Sequence, residues 1–317
     1  MDLTTNWLGL SLLNPLVPAA SPLSRDLDHA KRLEDAGAAA LIMYSLFEES
    51  LQPAMATGDA LPETASVDPE SLERYLEQIA ALKRGLDIPI VASLNGITAS
   101  GWLRHAREAC EAGADAIELN AYYLPAEVWE EGHYVEQRYL TLLRELEAEL
   151  EVPINMKLSP WFSSLGHLVK GLEEAGAAGV SLFNRLMQPD IDTRTLRLRT
   201  TLSPAGRTDL LLAVRWIGVL RGRVDCSLGA TGGVQSSDDV IKLLLVGADV
   251  VHLCSVLLEQ GEQQVALILE DLRRWMRTHG FDSIDDFRGR LAQAQLEDPA
   301  EYERLNYQSL LQNYRQD

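Results

Sequence analysis

Four times along this chain an amphipathic segment ends in a Gly-Ala pair and runs directly into an apolar, β-prone stretch. The four are Glu34-Asp35-Ala36-Gly37-Ala38, Glu111-Ala112-Gly113-Ala114, Glu174-Ala175-Gly176-Ala177 and Leu245-Val246-Gly247-Ala248. Glycine just past a helix end takes the left-handed conformation that closes the helix, and a strand can follow at once. The glycines stand 76, 63 and 71 residues apart. Each interval fits two βα units, since one unit needs about 30 residues or more. Four junctions two units apart imply eight units.

The intervening sequence supports that number. Eight stretches read as strands: Leu16–Ser21, Ala40–Ser45, Ile88–Asn95, Ala116–Asn120, Ile154–Leu158, Val180–Asn184, Val224–Gly229 and Val250–Cys254. Between them lie helical patterns. Leu72, Tyr75, Leu76, Ile79 and Leu82 share one helix face after the cap Asp68 and the first-turn Pro69. Ser236 and Asp239 form a capping box ahead of Val240, Ile241, Leu244 and Leu245. Eight strand–helix pairs predict an α/β fold, a (β/α)8 TIM barrel. The alternative, an open doubly wound sheet, is disfavoured because no G-x-G-x-x-G follows the first strand. A length of 317 residues suggests two domains by size alone, but barrels routinely exceed that scale. The expectation is one domain over residues 1–317: a barrel to about residue 258, then a C-terminal helical extension over 259–317. That tail carries Leu272, Trp275 and Met276 on one face, to pack on the barrel or a neighbouring subunit.

Composition narrows the function. The chain has 28 basic and 47 acidic residues, a formal net charge of −19. Nucleic acid and anionic membrane surfaces need clustered cations, so neither is expected as a partner. Three cysteines, Cys110, Cys226 and Cys254, include no C-x-x-C pair, which argues against a disulfide scaffold, a metal site or a self-ligated iron–sulfur cluster. Nothing at the start reads as a signal peptide and no apolar run reaches membrane-spanning length, so a cytoplasmic location is expected.

In such barrels the active site lies where strands end and βα loops begin. Asn95, Asn120 and Asn184 end predicted strands, and Lys157 lies within another. Alternation turns Asn155 and Lys157 inward, and likewise Glu118 and Asn120. A single strand-end Asn commonly starts a turn, but three with a lysine at one mouth suggest a binding site. Glu118 could simply be the counter-charge of Lys157. Gly229-Ala230-Thr231-Gly232-Gly233 follows the seventh strand, and Cys254-Ser255 opens the helix after the eighth. Backbone amides of a glycine turn and a helix start form an anion site, at the place where such barrels hold phosphate.

Together these residues resemble the FMN-dependent dihydroorotate dehydrogenase family, of the soluble type, over nearly the whole chain. Asn14-Pro15-Leu16-Val17-Pro18-Ala19-Ala20-Ser21 is similar to the family's opening strand, which implies that Ala19, Ala20 and Ser21 lie against the flavin. Asn155-Met156-Lys157-Leu158 resembles the strand whose lysine meets the flavin near N1 and O2. Leu228-Gly229-Ala230-Thr231-Gly232-Gly233-Val234 and His252-Leu253-Cys254-Ser255 resemble the two phosphate-gripping segments. Glu118-Leu119-Asn120 and Phe183-Asn184 match strand ends that carry substrate-binding asparagines. The resemblance therefore implies FMN held by Ala19, Ala20, Ser21, Asn95, Lys157, Gly232, Gly233, Cys254 and Ser255. It implies a small-molecule substrate near Asn120, Asn184 and Ser45, an electron-accepting small molecule or partner protein, and a homodimer. It also implies a role in pyrimidine biosynthesis.

The sequence departs from the family at the chemistry. Where the family has a Cys or Ser base, this chain reads Asn120-Ala121-Tyr122-Tyr123-Leu124-Pro125. Tyr123, or Tyr122, would have to be the base, and a phenol with pKa near 10 is a poor one at neutral pH. Met43-Tyr44-Ser45 replaces a lysine-bearing segment, and residues 46–67 contain no Asn. The reading is an FMN oxidoreductase acting on a CH–CH bond with an altered base and substrate pocket. Two alternatives stand beside it: a Schiff-base aldolase with Lys157 as nucleophile, and a non-catalytic barrel that binds FMN or a phosphate ligand.

Overall fold

A computed structural model describes residues 1–47, 70–96, 99–121, 123–185, 188–201, 205–303 and 307. The chain opens with a hairpin, β1 (Thr5–Trp7) and β2 (Leu10–Leu12), then runs through β3 (Leu16–Pro18), α1 (Leu27–Asp35), β4 (Leu41–Ile42) and β5 (Leu46–Phe47). Next come α2 (Glu70–Gly85), β6 (Ile90–Asn95), α3 (Ala99–Glu111), β7 (Ala116–Asn120), α4 (Gly132–Glu147), β8 (Ile154–Leu158) and α5 (Leu165–Glu174). After β9 (Gly179–Leu182) a second hairpin, β10 (Gln188–Asp192) and β11 (Arg197–Thr201), precedes α6 (Arg207–Leu220). The last elements are β12 (Ser227–Thr231), α7 (Ser237–Val246), β13 (Val250–Leu253), α8 (Ser255–Gln260) and α9 (Gln264–His279).

The parallel strands follow the order β3-β13-β12-β9-β8-β7-β6-β4. The Ala39 amide donates to the Leu16 carbonyl at 3.0 Å, joining the two end strands and closing the (β/α)8 barrel. All four junction glycines have positive φ, from +101° at Gly37 to +114° at Gly247. The opening repeat is therefore a backbone requirement that an L side chain meets only with strain. The Ser236–Asp239 box is present: the Asp239 amide donates to the Ser236 hydroxyl, and the Ser236 amide donates to the Asp239 carboxylate. On α2, Tyr75, Ile79 and Leu82 are fully buried while Leu72 and Leu76 pack at the edge of the core. The cap and proline read ahead of it, Asp68 and Pro69, lie outside the described residues.

Alternation divides the barrel interior into layers. At the amino-terminal end Val17, Ile42, Val91, Ala116 and Val250 surround Trp7, Leu8 and Leu12 of the first hairpin. The hairpin is thus an apolar plug, each large side chain contributing about 1.5–3 kcal/mol on burial. Two residues further along the same strands the inward side chains turn polar: Ser93, Glu118, Ser181 and His252, all buried. Two further still come Asn95 and Asn120. The plug fixes the barrel; the polar layer lines its open end.

Three expectations need correction. The seventh strand is Ser227–Thr231, not Val224–Gly229, because the Glu173 carboxylate accepts from the Asp225 and Cys226 amides and holds both in the preceding turn. Cys226 therefore precedes the strand. The first and second strands are shorter than read, and both hairpins were unforeseen. The ring's last helix is α9: Leu272 and Met276 are fully buried, and Leu269 fills the space beside Gly37. The barrel thus runs past residue 258, to about 279, and three short 3-10 turns follow to Tyr302.

Candidate active site

Parallel register brings the inward polar residues to matching heights. Asn95 pairs with Asn120, Asn120 with Lys157, Glu118 with Asn155, and Lys157 with Ser181. The result is a continuous hydrogen-bonded layer. Glu118, only 1% exposed, accepts from Lys157 Nζ at 3.3 Å through Oε1 and from Asn155 Nδ2 at 3.3 Å through Oε2. Ser93 Oγ also reaches Glu118, at 3.4 Å, and shares a hydrogen bond of 2.9 Å with Ser45 Oγ. On the other side Asn155 Nδ2 donates to Ser181 Oγ at 2.9 Å, which bonds His252 Nε2 at 3.1 Å. A carboxylate this deep is tolerable only with a cation and donors around it.

His252 stays neutral. Complete burial, with the nearby Lys157 charge, pushes its pKa down to about 3. Its Nδ1 and the Oδ1 of Asn155 are buried without a hydrogen-bond partner among the described residues. Such orphans are rare in a finished interior and mark polar capacity left open beside the mouth.

Above this layer lies a cleft of about 300 Å3 with mostly apolar walls. Ala19 and Ala20, Lys157, Asn184, Gly232 and Gly233, Cys254 and Ser255 all line it. These residues follow or belong to five strands, β3, β8, β9, β12 and β13, so distant segments converge as the eight-unit barrel requires. Gly232 and Gly233 have φ of +100° and +73°. A Cβ at Gly233 would stand 2.2 Å from the Gly206 carbonyl oxygen, so the turn approaches α6 as closely as backbone can. The sixth strand ends at Leu182 rather than Asn184, yet Asn184 Nδ2 still donates to Asn120 Oδ1 at 2.7 Å, joining it at the rim to the asparagine that ends β7.

Other predicted site residues stand elsewhere. Ser21 is buried, its carbonyl accepting from the Ser24 hydroxyl, and does not line the cleft. Asn95 is buried in the mouth layer without reaching the cleft lining. Ser45 opens toward a separate hollow beside Arg25 and Tyr44. Tyr122 lies outside the described residues. Tyr123 also stands apart from the cleft. Its hydroxyl donates to Glu130 Oε2 at 2.5 Å, and the Arg138 guanidinium lies 4.6 Å over its ring, in a hollow against α4. The carboxylate acceptor raises the phenol pKa, because losing the proton would set two anions together. As placed, Tyr123 lines that hollow and not the cleft beside Lys157.

None of the thiols takes its place. Burial pushes Cys254 up, Cys110 to about 11 and Cys226 to about 12, so each stays protonated and poorly nucleophilic.

Sequence reasoning missed Ser93 and Ser181 in the polar layer, and read His252 only as part of a phosphate-gripping segment. Period-2 alternation from Glu118 and Lys157 across the sheet register could have found them. It also missed Phe183, Arg185, Val234 and Leu258 on the cleft lining; those on loops and on α8 carry no periodic signal.

Comparison with known proteins agrees with this arrangement. The sequence pattern of the family described as dihydroorotate dehydrogenase matches residues 2–276. Among similar curated proteins, the dihydroorotate dehydrogenase B (NAD(+)) catalytic subunit of Thermoplasma acidophilum is 25% identical, covering 91% of this chain and 98% of its own. The corresponding subunit of Shouchella clausii is 26% identical over 89% and 95%. The dihydroorotate dehydrogenase A (fumarate) of Lactobacillus delbrueckii subsp. bulgaricus is 25% identical over 90% and 97%. With the barrel, the lysine on β8 and the glycine turn after β12 all in place, this chain belongs to the dihydroorotate dehydrogenase family.

Proposed function

We propose that the protein is an FMN-dependent oxidoreductase that oxidises a CH–CH bond in dihydroorotate or a related small molecule, with the family's Cys or Ser base replaced in an altered substrate pocket. The observation that carries this reading is the convergence of Ala19, Ala20, Lys157, Gly232, Gly233, Cys254 and Ser255 on one cleft.

The residues fit the group. Ala19 and Ala20 offer a flat wall with no bulky side chain, and the Gly232-Gly233 turn leaves its backbone bare for a phosphate. Lys157 offers a cation at the inner end. Bound FMN would supply two-electron chemistry, taking electrons from the substrate's C–H bond. Lys157 would stabilise negative charge building on the ring, held in place by Glu118 at 3.3 Å. The apolar lining would exclude water, and Asn120 with Asn184 would orient the substrate at the rim.

The same geometry argues against the aldolase. With Nζ held 3.3 Å from the buried Glu118 carboxylate, Lys157 is positioned as a counter-cation rather than as a nucleophile. The missing base is the feature that favours a changed substrate or a non-catalytic flavoprotein. Relatives differ in the acceptor their names carry, NAD(+) in one group and fumarate in the other; for this chain a small molecule or a docking protein fills that role, and the protein acts in the cytoplasm as a homodimer. Among the described residues no helix is long and apolar enough to cross a membrane.

Anaerobic mixing of the FMN-loaded protein with dihydroorotate tests the reading. Bleaching of the flavin with formation of orotate is expected if the substrate is retained. Reduction no faster than free FMN, with dihydroorotate and with other dihydropyrimidines alike, would leave only the non-catalytic reading.

A further inference from the structure

The cleft has two cations on its lining, and they are differently placed. Lys157 is buried and already matched by Glu118. Arg185, directly after Asn184 and beyond the end of β9 at Leu182, is half-buried and makes no ion pair or hydrogen bond among the described residues. Glu259 lines the same cleft, but it is exposed and not paired with Arg185. In a chain of net charge −19, a guanidinium beside an apolar wall without a carboxylate partner is unusual. Arginine presents a planar fork of donors that matches a carboxylate in two parallel hydrogen bonds.

The neighbourhood specifies which anion. Arg185 adjoins Asn184, whose amide is tied to Asn120 at the rim, and the segment Met43-Tyr44-Ser45 brings no cation. We propose that Arg185 recognises the carboxylate of the substrate and makes this cleft selective for anionic small molecules over their neutral counterparts. The assignment rests on the oxidoreductase reading above for the identity of the site.

Equilibrium dialysis of the FMN-loaded protein against orotate and against uracil, which is the same ring without the carboxylate, tests it. Wild type is expected to hold orotate at least about tenfold more tightly than uracil, as a charge-assisted pair would give. Arg185→Met should bring orotate down to the affinity of uracil and leave uracil unchanged, which also reports an intact fold. Arg185→Lys should keep part of the preference. Three results overturn the proposal: wild type with no preference for orotate, Arg185→Met with orotate affinity intact, or Arg185→Met that loses FMN while keeping the preference. The last would assign Arg185 to the cofactor's phosphate. FMN content is read separately from its absorbance: a chain that never takes up FMN rejects the oxidoreductase reading, and the same dialysis on the flavin-free chain then reports the carboxylate preference by itself.

Discussion

The barrel mouth and the loop that follows β7 carry residues of equal chemical interest, yet the fold treats them differently. At the mouth, Glu118, Asn120, Asn155 and Lys157 sit on adjacent parallel strands, where register leaves one arrangement: inward, stacked and mutually hydrogen-bonded. A few residues later the chain leaves the strand and the constraint ends. Tyr123 turns to Glu130 and Arg138 on the flank of α4, where a carboxylate and a guanidinium satisfy it better than the cleft would. Strand-borne chemistry is fixed by the scaffold; loop-borne chemistry follows the nearest favourable partner.

That contrast can be broken experimentally. The largest expected effect is Glu118→Ala, which leaves Lys157 charged and unpaired in the interior and should cost about 4 kcal/mol of stability in urea unfolding. Tyr123→Phe, on the loop, should leave the urea midpoint unmoved; a comparable loss in both variants would erase the distinction. Next comes pH. His252 has its pKa lowered to about 3 by burial, against about 6.5 in the unfolded chain. The unfolded state therefore takes up a proton first, so this contribution is fully present above pH 6.5 and is lost as pH falls toward 3. By pH 4 the loss should reach about 3 kcal/mol, and His252→Gln should remove that dependence while other acid-sensitive groups keep theirs. Gly233→Ala forces a positive φ, about 1–2 kcal/mol by itself, and adds a clash with the Gly206 carbonyl oxygen, so stability falls further and FMN uptake weakens. For the proposed flavin, Lys157→Ala should lower the reduction potential measured by dye equilibration, since a cation no longer favours the reduced form. Least of all, Tyr123→Phe should alter the rate of flavin reduction by less than about twofold; abolished reduction would restore Tyr123 as the base.

Legibility from sequence follows the same line. The four Gly-Ala junctions announced the eight units because a left-handed glycine is a local backbone requirement, independent of what packs around it. Lys157, Asn120 and the Gly232-Gly233 turn were equally readable, since period-2 alternation and turn chemistry act over two or three residues. The seventh strand slipped because Val224 and Cys226 look β-prone, yet Glu173, 52 and 53 residues earlier, claims the Asp225 and Cys226 amides. The Trp7 plug was missed for a similar reason: three-residue strands give no period, and their burial depends on the whole barrel closing above them. Arg185 had no signal beyond its distance from a strand end. Only the assembled cleft shows that it lacks a partner among the described residues.

The proposed flavin site rests on strand-held residues around Lys157, although the loop after β7, residues 121–131, carries no Cys or Ser. The absorption spectrum of the purified protein, followed by titration of the flavin-free chain with FMN, tests it most directly. One FMN per chain in wild type, with affinity sharply reduced in Gly233→Ala, is the predicted result. A chain with no flavin spectrum that acquires none at saturating FMN would contradict it.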